Sequence, residues 1–157
     1  MKEQEKSESP TTIEGIREQL LDQVGNAEFG SATFQAFSDY FALDHQRYLL
    51  DIEQNNSLSA SNNEKRRLYW ESETRIRETQ IALLEREIER NNSRVPGYAR
   101  VRVGIESALD HLSELARVDA AKKYPNDEKM RSAQSEETFD NIYDEINDLI
   151  YRRQDQS

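Results

Sequence analysis

Cysteine is absent from this chain of 157 residues. That excludes disulfides, thiolate metal sites and a cysteine nucleophile, and it fits a reducing compartment, so a cytoplasmic location is expected. Proline and glycine are scarce, at three and five residues. Long stretches therefore run without a breaker, which favours helices over a turn-rich β fold. The glycines are isolated, so no phosphate-cradling loop is present, and no Gly-x-Ser-x-Gly elbow occurs. No apolar run approaches the roughly 20 residues that a membrane-spanning helix needs, so no membrane association is expected. No apolar segment follows Met1 as a secretory leader would require.

Histidine is almost absent too. His45 and His111 are the two present, each preceded by an aspartate. Carboxylate metal sites in helical bundles place a glutamate three residues before the histidine on two of the helices. Ala42 and Ala108 stand there instead. A small metal-dependent enzyme using His45 and His111, helped by Asp110 and Glu114, is one alternative function. No motif calls for a cofactor, and none is expected.

Charge is what the chain has in abundance. Charged residues make up 33% of it and the net charge is −10. Residues 1–63 carry net −7, residues 64–102 net +3, and residues 103–157 net −6. A basic middle between acidic flanks can pair within the molecule, meet a partner, or face solvent.

Residues 1–10 are charged and end in Pro10. They have too little apolar surface to offset ordering entropy, which predicts a disordered acidic tail. Residues 11–153 read as one helical domain. Thr11-Thr-Ile-Glu14 is a capping box, followed by the stripe Ile13, Ile16, Leu20, Val24 and a stop at Gly25-Asn26. Ser31 is the expected N-cap of the next helix, ending near Asn55. On it Phe34, Phe37, Phe41, Tyr48 and Ile52 share one face and are expected to organise the core.

The polar loop Asn55–Asn63 leads to a second capping box, Ser61-Asn-Asn-Glu64, and a highly charged third helix to about Asn91. Tyr69, Ile76 and Leu83 repeat there every seven residues, but Ser72, Thr79 and Gln80 interrupt the seam. Arg67–Glu71, Glu71–Arg75 and Glu73–Arg77 are opposite charges at i,i+4. Val95-Pro96-Gly97 forces a break. A fourth helix follows from Tyr98 to Tyr124, with the stripe Val101, Ile105, Ala108, Leu112, Leu115. The last helix is expected over Ser135–Arg153, with Phe139, Ile142, Ile146 and Leu149 inward, leaving Asp127–Gln134 open and 154–157 frayed. The fold class is thus all-α: an antiparallel bundle of four main helices plus a short N-terminal one.

Tyr69, Trp70 and Tyr98 fall off the strongest stripes, and Arg66 and Arg67 lie close in sequence. Aromatics and arginine are favoured in protein interfaces, so these five are the candidate partner-binding residues. Basic residues interleaved with aromatics also suit nucleic acid, but intervening acids and the strongly negative whole argue against direct binding. The expected function is a non-enzymatic protein-interaction module: a regulator, adaptor or inhibitor that binds another protein, or a second copy, through helix faces. An acidic chain can also imitate a phosphate row and block a nucleic-acid-binding protein, as phage-type inhibitors do. That is the other alternative.

Overall fold

The structure, a computed structural model, describes residues 11–156. The tail expected over residues 1–10 and the terminal Ser157 lie outside the described residues. Five helices follow one another: α1 Ile13–Asn26, α2 Ala32–Ser59, α3 Glu64–Arg94, α4 Tyr98–Lys123 and α5 Glu128–Gln156. No strand occurs among the described residues. The all-α expectation holds, with the helices packed on one another.

Caps start the helices where the side chains allow. Thr12 accepts from the Gly15 amide at 3.0 Å, so α1 is capped one residue later than the Thr11 box implies. Ser31 caps α2 as expected, accepting from Phe34 at 3.2 Å. Asn63, not Ser61, caps α3 by accepting from Arg66 at 3.2 Å. Asp127 accepts from Met130 at 3.1 Å and starts α5 at Glu128, so helix fills the stretch left open before Ser135. At the α3–α4 break, Val95 is extended before Pro96 and Gly97 takes φ 85°. Only glycine adopts that left-handed conformation without penalty.

Two helices run longer than their composition suggests. α2 continues through Asn55, Asn56 and Ser57 to Ser59. Ser59 Oγ donates back to the Asn55 carbonyl at 3.0 Å, and buried Ala60 closes the end with its amide on the Asn56 carbonyl. These local bonds carry the helix through residues of weak propensity. α5 persists to Gln156, where fraying was expected, with Gln154 Nε2 donating to Ser38 Oγ at 2.6 Å.

α2 and α3 form one antiparallel hairpin, and α4 and α5 another. α1 runs alongside α5, tied at both ends by Arg17–Glu145 and by Arg153 donating to the Val24 carbonyl at 2.6 Å. Arg153 also stacks over the rings of Phe29 and Phe34. The core gathers Ile16, Leu20 and Val24 with Phe34, Phe37 and Phe41, then Ile105, Leu109 and Leu112, then Ile142, Ile146 and Ile150. Each such burial contributes roughly 1.5–3 kcal/mol.

α3 is the outlier. It supplies only Ile81 and Ile88 to the core. None of its Cα atoms lies within 8 Å of α1 or α5. The aromatic stripe of α2 likewise leaves the core after Phe41. Tyr48 is 62% exposed and Ile52 38%, against expectation. The reason is length: α2 spans 28 residues and α1 only 14, so the far half of α2 outruns its cover. Beyond Tyr48, the polar side-chain contact that leaves α2 among the described residues is the pair of Glu53 with Arg77 of α3. The halves of α2 and α3 nearest their connection thus form a two-helix arm.

Tyr98 corrects another expectation. It is fully buried, not part of an exposed patch. Its hydroxyl donates to Asp39 Oδ2 at 2.6 Å, where Asn91 Nδ2 also donates at 3.1 Å, and Gln35 Nε2 reaches Oδ1 at 2.9 Å. Burial, first, and the adjoining carboxylate raise the Tyr98 hydroxyl above its ordinary pKa, keeping it a donor. Asp39→Ala orphans three donors, the buried Tyr98 hydroxyl and the half-buried amides of Gln35 and Asn91, and should cost about 3 kcal/mol, whereas Tyr98→Phe removes one donor and should cost about 1–2 kcal/mol. Urea unfolding monitored by circular dichroism checks the order, and equal losses would contradict it.

Candidate protein-interaction surface

The arm is thinly packed. Between residues 49 and 80 only Glu53 and Ala60 are buried. Where apolar side chains would normally meet, Arg77 of α3 pairs with Glu53 of α2 at 3.1 Å and donates to Gln46 and Gln80. Arg77 therefore turns across the hairpin, not to Glu73 as its i,i+4 spacing suggests. Glu53 Oε1, Arg77 Nε and Thr74 Oγ1 remain buried without partners. A polar layer of this kind fixes register at some cost in stability.

Around the helix from that layer lies an apolar stripe. Leu68, Tyr69, Ile76 and Leu83 are 50%, 57%, 50% and 56% exposed. The sevenfold spacing of Tyr69, Ile76 and Leu83 keeps them on one side of α3. A single exposed leucine is ordinary, but four large apolar groups along one helix mark a contact surface. Tyr69 packs edge-on against half-buried Trp70, with centroids 5.0 Å apart, which holds the tyrosine ring in place.

The five predicted contact residues divide accordingly. Tyr69 and Arg66 are exposed on the arm, and Arg66 has no ion-pair partner among the described residues. Arg67 is half-buried between Glu71 at 3.1 Å and Glu64 at 3.5 Å, so its charge is largely answered within α3. Trp70 supports Tyr69 more than it faces outward. Tyr98 belongs to the core and not to this surface. Ile76 and Leu83 complete the stripe; their heptad spacing was the legible signal.

His45 lines an open cleft of about 400 Å³ with Asp44, Tyr48, Phe139, Asp140 and Tyr143, between α2 and α5. His111 is exposed on α4 and does not line that cleft. Among the described residues, no three His, Asp or Glu side chains are grouped to hold a metal ion. In the cleft wall the Tyr143 hydroxyl donates to Asp44 Oδ2 at 2.6 Å. Burial, first, and that carboxylate raise its pKa.

α5 carries a second surface. Glu136, Asp140, Asp144 and Asp148 recur every four residues, are all exposed, and have no ion-pair partner among the described residues. Successive members are separated by about 6 Å of helical rise. Asp140 is held above the ordinary carboxylate pKa, by burial first and then by Asp144 and Glu136. Glu145, one residue past the row, shows the opposite: the hydrogen bond from Arg17 holds it below the ordinary range.

A raised Asp140 favours folding while protonated and loses that contribution as pH rises through its folded-state pKa. Like charges at i,i+4 cost a few tenths of a kcal/mol each, so Asp140→Asn should raise Tm by about 1–3 °C at pH 7. At pH 3, where the raised Asp140 is itself protonated, the gain should vanish. Thermal melts at both pH values decide; an equal gain at both would remove charge as the cause.

No helix among the described residues is long and apolar enough to cross a membrane. Comparison with known proteins finds no matching family model, no similar curated protein and no similar solved structure, so this surface must be interpreted from its own chemistry.

Proposed function

We propose that this chain is a non-enzymatic protein-interaction module that acts as a regulator, adaptor or inhibitor through the outward face of α3. The observation that carries this reading is the exposed stripe Leu68, Tyr69, Ile76 and Leu83 on a helix held mainly by α2. The stripe supplies apolar area and a braced aromatic anchor, the features that concentrate binding energy. Arg66 and Lys65 at its N-terminal end supply orientation and on-rate more than affinity. Because these side chains contribute little to the core, they can be changed without unfolding the molecule.

The test compares the wild-type chain with an Ile76→Asp/Leu83→Asp double variant as baits, with captured proteins quantified by mass spectrometry. A specific partner should fall at least ~10-fold with the variant while Tm stays within about 2 °C. Identical capture profiles would sink the reading.

The self-repelling row on α5 favours a second reading, in which the chain is an acidic mimic that occupies the basic groove of a nucleic-acid-binding protein. Regular, uncompensated negative charge at ~6 Å steps offers such a groove what a phosphate backbone offers. In this reading the captured partner is a nucleic-acid-binding protein. Its capture falls steeply as salt rises and is lost on Asp140→Asn/Asp144→Asn, not on the α3 substitutions. Capture that is indifferent to salt would contradict mimicry.

A further inference from the structure

We propose that the α3 stripe is a self-association surface that pairs two copies of this chain antiparallel, about a two-fold axis at Ile76. This rests on reading α3 as the docking face and names its occupant. In order along the helix the stripe is Lys65, Tyr69, Ser72, Ile76, Gln80, Leu83, Glu87. These residues lie within about 40° of one direction around the helix axis at 100° per residue. The pattern is complementary to its own reverse. Laying a second α3 antiparallel across the first, with Ile76 on Ile76, sets Tyr69 against Leu83 of the second copy at two symmetric positions. Ser72 meets Gln80, two side chains that can hydrogen-bond. Lys65 meets Glu87, so each end closes with opposite charges.

The parallel arrangement has the opposite character. It would set Lys65 against Lys65 and Glu87 against Glu87, and like charges in register repel. Glu87 is bonded to Arg90 of its own helix, but both side chains are at the surface and the carboxylate can accept from Lys65 as well. The residues that would meet are free to do so: Tyr69, Ile76 and Leu83 are each at least half exposed. The overlap from Lys65 to Glu87 is about 33 Å of helix. A single pair of helices of that length is a small interface, so the expected dissociation constant is roughly tens of micromolar.

The absence of native cysteine makes orientation directly testable. Sedimentation equilibrium of the full chain between ~1 and ~200 μM should move from the mass of one copy towards two, and Ile76→Asp should hold it at one with an unchanged thermal melt. Under mild oxidation, Ile76→Cys should form a disulfide-linked dimer. Tyr69→Cys alone should not, but mixed with Leu83→Cys it should give the mixed dimer. A wild-type chain that stays monomeric to ~200 μM overturns the proposal, even if the α3 substitutions abolish capture of another protein, which would leave the interaction-module reading intact. A dimer indifferent to Ile76→Asp overturns the location, and efficient self-crosslinking through Tyr69→Cys overturns the antiparallel arrangement.

Discussion

One buried carboxylate ties the structure together. Asp39 sits inside the α2 face and receives three neutral donors: Gln35 from its own helix, Asn91 from α3 and the hydroxyl of Tyr98 from α4. Among the described residues no arginine or lysine pairs with it; hydrogen bonds answer its charge. A buried charge that depends on three separate donors leaves little freedom to those donors. It sets the register of α2 against α3 and brings the first turn of α4 in close, where the Val95-Pro96-Gly97 break can deliver it. The rest of the α4–α5 hairpin then follows from that starting point.

The consequence is an uneven molecule. Near Asp39 all five helices contribute to an apolar core. Toward the α2–α3 connection the cover thins, because α1 is short and because no Cα of α3 approaches α1 or α5. What holds the arm together there is the Glu53–Arg77 pair with its glutamine neighbours, a polar layer with three unpartnered atoms. Such a layer specifies register but adds little stability, so the arm should be the more readily opened part of the fold. An arm with a weak inner seam and an apolar outer stripe has more to gain from a partner than from its own packing.

Charge is arranged by the same logic. Between helices at the surface, carboxylates are met by cations, as with Glu145 and Arg17 or Glu85 and Arg47. On the outward side of α5 none is supplied among the described residues, and Asp140 is raised by burial first and then by the repulsion of its neighbours. The fold has no use for Glu136, Asp140, Asp144 and Asp148 as a row. Their uncompensated charge is available to a partner of opposite sign and otherwise keeps the molecule dispersed.

The periodicity of apolar residues, the cap at Ser31 and the break at Pro96 were enough to read an all-α chain of five helices, because these signals are local. The heptad of Tyr69, Ile76 and Leu83 was legible for the same reason. What local pattern could not show is which stripe is covered. Tyr48 and Ile52 extend the α2 stripe in sequence, yet they leave the core because α1 is too short to reach them. Tyr98 looked like a surface aromatic at a helix start, yet the Asp39 carboxylate and the close approach of α4 bury it completely. An aspartate between core positions Ala36 and Leu43 was the one hint of that pairing. Helix identity is settled by neighbours along the chain, whereas exposure is settled by helices far apart in sequence, so the candidate surface was decided only when the five helices came together.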